Sequence, residues 1–554
     1  MELPKGRMSG PVLKAVVASV RHTPARHVVA RVLRKQLGID ALRNLDRELR
    51  SGLRGPSPLQ ARTRHERPSQ SLGLTVPSAW PRTVQSYAKA YREGTLTAEE
   101  VVERSLAAAR FLAARNPSLG PILEFDDDRA MDAARRSMDR VARGEALGPL
   151  DGIPVAIKEE VRVRGLPCQV GTRHMSRDLA EDDCVAVARL RAAGAVVIGT
   201  TPMTEYGMSP LGGNVHRIMP RNPHDPSRLP GGSSSGSGVA VATGVVPLAL
   251  GADGGGSIRI PACFNGVFGL KPTFGRVPTT GHGLDGGSTV VHLGPLGASS
   301  HDLAVFLEAT AGYDDGDPDS QQPVVPAGAF TEALGRGVQG LRIGVIESEW
   351  AACEADIARP AREALDALER EGATLVPISV PLASSAAAMG YLTIGLETHS
   401  ALLSVRQGGM DELGLDLQML LANLDTFRPD DYLDAQRLRT TLRLQVRDAL
   451  KHVDVVALPT TAIVPPTINE AEELEGFVDP PALDGACRFA FLGNLTGCPA
   501  GTAPVGTSAG LPVGLQILGD AYDEACVLQV LAHLERIGAA RCDKPAAHLD
   551  LFES

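Results

Sequence analysis

The stretch from Gly231 to Pro261, GGSSSGSGVAVATGVVPLALGADGGGSIRIP, constrains this chain more than any other. It contains a glycine- and serine-rich loop, an uncharged run of small and apolar residues from Val239 to Leu250, and a second glycine turn that presents Ser257. Glycines adopt backbone conformations closed to other residues, so this turn can aim several backbone N–H groups at one point beside a hydroxyl. The stretch therefore predicts an oxyanion hole next to a nucleophilic serine. The predicted donors are the N–H groups of Gly254, Gly255, Gly256 and Ser257.

Other interpretations of the glycine- and serine-rich loop are open at this point. A Gly/Ser stretch is most often a flexible loop, and few serines in glycine turns are nucleophiles on local sequence alone. A phosphate-binding loop is disfavoured, because GGSSSGSG lacks the Lys-Ser/Thr pair that completes such a loop. A linker is disfavoured too, since linkers do not run directly into a long apolar segment and a second glycine cluster.

Three separated motifs together resemble the amidase signature family of serine hydrolases. The family pattern D-x-G-G-S-I-R-x-P matches residues 253–261. The first Ser of the GGSS loop is Ser233, which precedes Ser257 by 24 positions, the same spacing as in the family. The segment from Gly152 to Lys158 matches a third pattern, G-I-P-V-x-x-K. The resemblance implies a catalytic triad of Lys158, Ser233 and Ser257, with the peptide bond before Ser233 in the cis form.

Lys158 is the predicted general base. A lysine can accept a proton only when it is neutral, and burial without a carboxylate partner favours the neutral form. The preceding VAI predicts a buried strand, but Glu159 and Glu160 follow directly. Strand alternation directs Glu159 away from Lys158, which leaves Glu160 as the nearer carboxylate. A strand-end lysine is ordinarily a surface residue, and the triad context is what favours the catalytic role.

The predicted reaction is amide hydrolysis through an acyl-enzyme. Lys158 draws a proton through Ser233 as Ser257 attacks, and the same relay returns a proton to the departing amine. Asp253 and Arg259 either order the glycine turn or form a structural ion pair. Ser234 either joins the relay or hydrogen-bonds a loop carbonyl. We predict no metal and no cofactor.

Length and charge limit the alternatives. At 554 residues the chain exceeds the roughly 250–300 residues of one core, so either one large domain with appendages or two domains are expected. A net charge of -10 argues against a nucleic-acid partner. The eight cysteines form no C-x-x-C pair, which favours free thiols in a reducing, cytoplasmic compartment.

Alternating helices and short apolar strands predict an α/β fold, in which a mixed sheet is flanked by helices. We place the catalytic domain at residues 79–545.

Residues 1–78 are predicted to form a basic helical extension and linker. Residues 1–68 carry 15 Lys and Arg against 5 Asp and Glu. Thr23 is predicted to cap a helix that ends near Gly38, and Asp40 to cap another that ends at Gly52. The run from Pro56 to Gln70 is typical of a linker. The basic helices either pack on the catalytic body or make peripheral contact with a membrane surface.

Specificity is less constrained by the sequence. In the family, the region corresponding to residues 386–450 tends to line the acyl pocket, although for any single apolar residue of this segment ordinary core is the favoured interpretation. The acidic run from Asn469 to Asp484 is predicted as a surface loop that can act as a lid.

We expect a self-sufficient amidase for a small-molecule amide with a fatty or other hydrophobic acyl group. The alternative is an amidotransferase A-type subunit or another partner-dependent protein, and a homodimer is left open.

Overall fold

The computed structural model describes residues 6–21, 23–45, 49, 72–73, 82–284, 288–320, 325–541 and 543–553. The strands are β1 Met8–Ser9, β2 Glu124–Phe125, β3 Pro154–Lys158, β4 Val196–Thr201, β5 Leu248–Asp253, β6 Phe268–Lys271, β7 His292–Gly297, β8 Arg342–Val345, β9 Thr374–Pro377, β10 Val455–Pro459, β11 Phe477–Val478, β12 Ala500–Ser508 and β13 Leu511–Leu518. The α-helices are α1 Gly10–Val20, α2 Thr23–Gln36, α3 Ile39–Leu42, α4 Val84–Glu93, α5 Ala98–Ala113, α6 Asp127–Arg143, α7 Val185–Ala192, α8 Ser235–Ala242, α9 Arg259–Asn265, α10 Ser300–Thr310, α11 Glu347–Trp350, α12 Ala355–Arg370, α13 Ala386–Ala401, α14 Leu403–Gly408, α15 Leu415–Leu424, α16 Pro429–Ala449, α17 Glu470–Glu475, α18 Pro480–Cys487, α19 Phe491–Thr496 and α20 Glu524–Arg536.

Within the described ranges, eleven strands form one sheet in the order β2-β4-β3-β5-β7-β6-β12-β13-β10-β8-β9. Strand β3 runs parallel to β4 and β5, and β8 runs parallel to β9 and β10, whereas the other neighbours are antiparallel. Helices including α10, α12 and α20 pack against the sheet and share its hydrophobic core. The predicted α/β fold with a mixed sheet flanked by helices is confirmed.

Two parallel strands, β3 and β5, position the residues of the three motifs. Ile157 of β3 pairs with Leu250 of β5, and both strands are buried along their length. Because parallel strands end at the same edge of a sheet, Lys158 and the glycine turn after Asp253 lie side by side. Helix α8 packs against β5. It also lies close to the end of β4, where a Cβ at Gly236 would stand 2.5 Å from the Pro202 ring.

Local sequence signals fix several helix ends. Helix α5 begins with a capping box, in which Glu100 N–H donates to Thr97 Oγ1 over 3.2 Å and Thr97 N–H donates to Glu100 Oε2 over 2.8 Å. Helix α10 ends at Thr310, because Ala311 has extended backbone, with ψ at 149°.

The N-terminal extension, by which we mean residues 6–45, is helical as predicted, with one correction. Helix α2 begins at Thr23, but Asp40 caps no helix, since α3 begins at Ile39 with Gly38 at its N-cap. Gly38 has a left-handed backbone (φ 69°), so it turns the chain between the two helices without a capping side chain. The predicted helix end at Gly52, the linker over 56–70 and the domain boundary after residue 78 lie outside the described residues.

The extension packs on the body through both apolar and charged contacts. Leu13, Val17 and Leu33 form a buried cluster with Met419 and Ala422 of α15. Basic side chains of the extension form ion pairs with acidic side chains of the body: Arg7 with Glu472, Lys14 with Glu475, Arg21 with Asp411, Arg26 with Asp425 and Arg43 with Asp431. These contacts favour the first of the two interpretations of the basic helices, packing on the body. No helix in the described part of the chain has the length and apolar character needed to cross a bilayer.

The acidic run from Asn469 to Asp484 is not the surface loop that was predicted. It contains α17, whose N-terminus is capped by Asn469, then β11 and the start of α18. Strand β11 pairs with β1 of the extension, so that Phe477 lies opposite Ser9. The run is ordered because the extension supplies its strand partner and its positive charges.

Candidate active site

Lys158 is fully buried at the end of β3, and its Nζ has two polar side-chain neighbours. Nζ donates a hydrogen bond to Ser233 Oγ over 2.7 Å and forms an ion pair with the carboxylate of Glu160. Glu160, which strand alternation predicts to be the nearer of the two carboxylates, is thus the carboxylate partner of Lys158. A turn after β3, closed by a 3.3 Å hydrogen bond from Val161 N–H to Lys158 O, returns Glu160 to the side of the lysine.

The two glutamates that follow Lys158 lie on opposite sides, as strand alternation predicts. Glu159 pairs with Arg217 at 3.6 Å, and burial raises its pKa to about 7 although Arg217 opposes the rise. Burial also acts to raise the pKa of Glu160, but Lys158 and His282, 3.3 Å away, outweigh burial and bring that pKa to about 2. Glu160 therefore places a fixed negative charge beside Lys158 at neutral pH.

Ser233 and Ser234 lie where the glycine- and serine-rich loop passes beneath the turn that holds Ser257. The peptide bond between Gly232 and Ser233 is cis, as the resemblance implies. Ser234 N–H donates to Ser257 O over 3.3 Å, which ties the two segments together. Ser234 Oγ donates to Ala252 O over 3.1 Å and accepts from Ala252 N–H over 3.3 Å. Of the two predicted roles for Ser234, its contacts match the bond to a backbone carbonyl.

Asp253 organises the glycine turn through its carboxylate. Oδ1 accepts the Gly256 N–H over 2.7 Å and Oδ2 accepts the Ile258 N–H over 3.2 Å. Arg259 donates from Nε and Nη2 to the two carboxylate oxygens, each over 2.9 Å, and both side chains are fully buried. Burial alone would raise the pKa of Asp253, but the Arg259 guanidinium holds it well below its usual range. The Asp253 carboxylate thus binds the backbone of the turn at Gly256 and at Ile258, and Arg259 holds the carboxylate in place.

The predicted oxyanion hole needs one correction. Gly256 has φ at 116°, a left-handed conformation that favours glycine, and its N–H is directed to Asp253. That N–H is therefore engaged within the turn, and the predicted donors that remain are Gly254, Gly255 and Ser257. A Cβ at Gly254 would stand 2.6 Å from Ile394, and one at Gly255 would stand 2.5 Å from Phe491. A side chain at Gly255 would require the Phe491 ring to move, whereas the atom nearest to a Cβ at Gly254 is the end of the flexible Ile394 side chain.

Ser257 lies where two cavities meet, and 8% of its surface is exposed. The apolar cavity is walled by side chains such as Tyr391, Ile394, Leu424 and Phe491. The polar cavity is reached from the other side and is lined by Ser233, Glu160, Arg162, His282 and Glu397. A molecule whose reacting atom lies at Ser257 can therefore place an apolar part in one cavity and a polar part in the other.

The apolar cavity also has an acidic edge formed by Glu205 and Asp416. Glu205 accepts hydrogen bonds from Thr172 Oγ1 and from Gly414 N–H, each over 2.9 Å, and pairs with His216. Burial and then the neighbouring Glu205 raise the pKa of Asp416 to about 6. These contacts fix the Glu205 side chain in the wall of the cavity.

Two residues of the site have no local signal in the sequence. Asn494 Nδ2 donates to the carbonyl and to the carboxylate of Asp253, over 2.9 and 2.8 Å. Gln516 Oε1 accepts from Arg259 Nη1 over 2.5 Å. Both residues come from far along the chain, and only tertiary packing brings them to the turn. In the described part of the chain, no group of three or more His, Cys, Asp or Glu side chains is arranged to hold a metal ion.

Comparisons with known proteins agree with this geometry. The family model Amidase matches residues 100–528. The chain is 34% identical to a fatty acid amide hydrolase of Arabidopsis thaliana over 498 residues, which cover 88% of this chain and 81% of the relative. It is also 34% identical to the A-type subunit of the glutamyl-tRNA(Gln) amidotransferase of Chloroflexus aggregans over 482 residues, which cover 82% of this chain and 96% of the relative.

A solved structure of a peptide amidase, in complex with the competitive inhibitor chymostatin, superposes with a TM-score of 0.73 at 27% identity. The match covers 84% of this chain and 99% of the peptide amidase. Family model, sequence relatives and structure thus coincide over the segment that contains Lys158, Ser233 and Ser257. The chain therefore belongs to the amidase signature family and is an amidase, a hydrolase of carbon–nitrogen bonds in linear amides.

Proposed function

We propose that this chain hydrolyses amides with a hydrophobic acyl group, with Ser257 as nucleophile and Lys158 as base through Ser233. The observation that carries the proposal is the position of Ser257, which lines the apolar cavity and shares the polar cavity with Ser233, the acceptor of the 2.7 Å hydrogen bond from Lys158. A serine hydroxyl attacks an amide only if its proton is removed, and a buried lysine beside a second hydroxyl supplies that path.

The proposed reaction uses the site in two half-reactions. Neutral Lys158 takes the proton of Ser233, Ser233 takes that of Ser257, and Ser257 Oγ bonds to the carbonyl carbon. The N–H groups of Gly254, Gly255 and Ser257 stabilise the oxyanion. The relay then protonates the amine as the carbon–nitrogen bond breaks, and water attacks the acyl-enzyme by the same route.

The two cavities determine how the substrate lies in the site. The apolar cavity accepts the acyl group, because each buried methylene contributes about 0.8 kcal/mol. The polar cavity, with Arg162 and Glu397 in its walls, accepts the amine and the water that replaces it. An amide of a hydrocarbon acid with a small polar amine fits both cavities.

The alternative, an amidotransferase A-type subunit, has the support of a relative with the same percentage identity. Such a protein would need a partner protein for activity. Assay of the purified chain alone distinguishes the two proposals. We expect it to hydrolyse straight-chain acyl amides, with kcat/KM rising up to about 4-fold for each methylene that enters the apolar cavity. Hydrolysis that appears only after a partner protein is added would support the amidotransferase alternative.

A second prediction concerns Glu160, the fixed negative charge beside Lys158. Changing Glu160→Gln removes a charge that favours the ammonium form of Lys158, so more of the base is neutral at a given pH. We expect the acidic limb of the pH dependence of kcat/KM to move down by about 1 pH unit or more. Glu160, with a pKa of about 2, does not itself titrate in that range.

The matched control for this prediction is Glu159→Gln. Glu159 is the adjacent buried glutamate, but it faces Arg217 on the other side of the strand. Its replacement should leave the acidic limb in place. A limb that moves upward in Glu160→Gln, or that moves equally in both variants, would show that Glu160 does not act on the base.

A further inference from the structure

Part of the wall of the apolar cavity comes from the N-terminal extension. Leu33 and Leu37 lie one helical turn apart on the same side of the chain, and Ile39 follows the turn at Gly38. All three line the same cavity as Ser257. We infer that the extension is the specificity wall of the enzyme, and that Leu33, Leu37 and Ile39 set the length and shape of the acyl group that is accepted.

Charge and apolar packing fix this wall in place. Basic side chains of the extension, among them Arg7, Arg26 and Arg43, form ion pairs with acidic side chains of the body. Ile39 and Leu42 pack into the core that contains Ala387 and Leu392 of α13. The wall therefore has the rigidity that discrimination between acyl groups requires, because a mobile wall would adapt to any of them.

The wall also holds aromatic residues of the body that face the cavity. The Arg7 guanidinium lies over the Phe477 ring at 4.1 Å, and the Arg34 guanidinium lies over the Phe427 ring at 5.5 Å. Both rings line the apolar cavity. Phe477 is also held by the pairing of β1 with β11. The extension therefore contributes its own side chains to the cavity wall and also positions side chains of the body there.

The ligand class follows from these walls. Leu33, Leu37 and Ile39 present hydrocarbon to the cavity, and they face further apolar side chains of α13 and α15. The matching acyl group is a hydrocarbon chain long enough to reach from Ser257 to the extension. This inference rests on the proposed function, since it assigns a substrate part to the cavity that opens on Ser257.

The test measures kcat/KM for straight-chain acyl amides from acetamide upward with Leu37→Trp, Leu37→Ala and the wild-type chain. Trp at position 37 fills the end of the cavity beside the extension, so kcat/KM for the longest amides should fall about 10-fold or more while that for acetamide stays within about 2-fold. Leu37→Ala enlarges the same end, and the best substrate should become longer or branched. Thermal unfolding of each variant verifies that it is folded.

The matched control is Val28→Trp, which places the same bulk on the same helix. Val28 is 49% exposed on the solvent side of α2, so the acyl preference should match that of the wild type. An acyl preference that neither Leu37 variant changes, in an active enzyme, would overturn the role of the extension and leave the proposed function standing. A wild-type chain that hydrolyses none of the amides would overturn both.

Discussion

Replacing Ser257 by Ala should lower kcat for amide hydrolysis by roughly 10⁴-fold or more, because no acyl-enzyme can form without the hydroxyl. The change removes one oxygen from a side chain at the meeting point of the two cavities, and no charge is left unpaired. The free energy of unfolding should therefore change little. The measurement is the steady-state rate of hydrolysis of a long-chain acyl amide, compared with the rate of the uncatalysed reaction.

The control for this prediction is another serine of the same motif. Ser235 is buried at the first position of α8, and its Oγ has no hydrogen-bond partner among the described residues. Ser235→Ala removes the same atom and should retain wild-type activity within a few-fold. A Ser257→Ala enzyme that keeps more than background activity would contradict the assignment of the nucleophile.

Replacing Lys158 should have the second largest effect. Met has a similar length and cannot accept a proton, so Lys158→Met should slow acylation by about 10²- to 10⁴-fold. The single change leaves the buried Glu160 carboxylate without its cation, which costs about 3–5 kcal/mol of stability. The informative variant is therefore Lys158→Met combined with Glu160→Gln, compared with Glu160→Gln alone.

The pH profile separates a base from a merely structural lysine. In the wild type the acidic limb of kcat/KM reports protonation of the base, so it should vanish from the double variant. Unfolding measurements should show the double variant to be more stable than Lys158→Met alone, because no unpaired charge is buried. If the acidic limb persists in the double variant, Lys158 is not the base.

The layout of the site was predictable wherever the determining signal is local. Lys158, Ser233 and Ser257 belong to motifs whose spacing is visible in the chain, and the structure brings all three to one edge of the sheet. That Glu160 is nearer to Lys158 than Glu159 was also predictable, since residues two apart in an extended chain share a face. Its ion pair with Lys158 was not, because it depends on the turn that closes directly after β3.

The remaining features depend on contacts between distant segments. The periodicity of α2 shows that it has an apolar face, but the partner of that face is α15, nearly four hundred positions along the chain. The engagement of the Gly256 N–H by Asp253 depends on the rotamer that Arg259 and Asn494 impose on the carboxylate. The prediction of a loop for the acidic run is wrong because its strand partner, β1, comes from the other end of the protein.

The central claim is that Ser257 is an activated nucleophile at the meeting point of an apolar and a polar cavity. Intact-protein mass spectrometry after treatment with an alkyl fluorophosphonate tests it most directly. We expect one covalent adduct on the wild-type chain, retained in Ser235→Ala and absent from Ser257→Ala. An adduct that persists in Ser257→Ala, or no adduct on the folded wild-type chain, would contradict the claim.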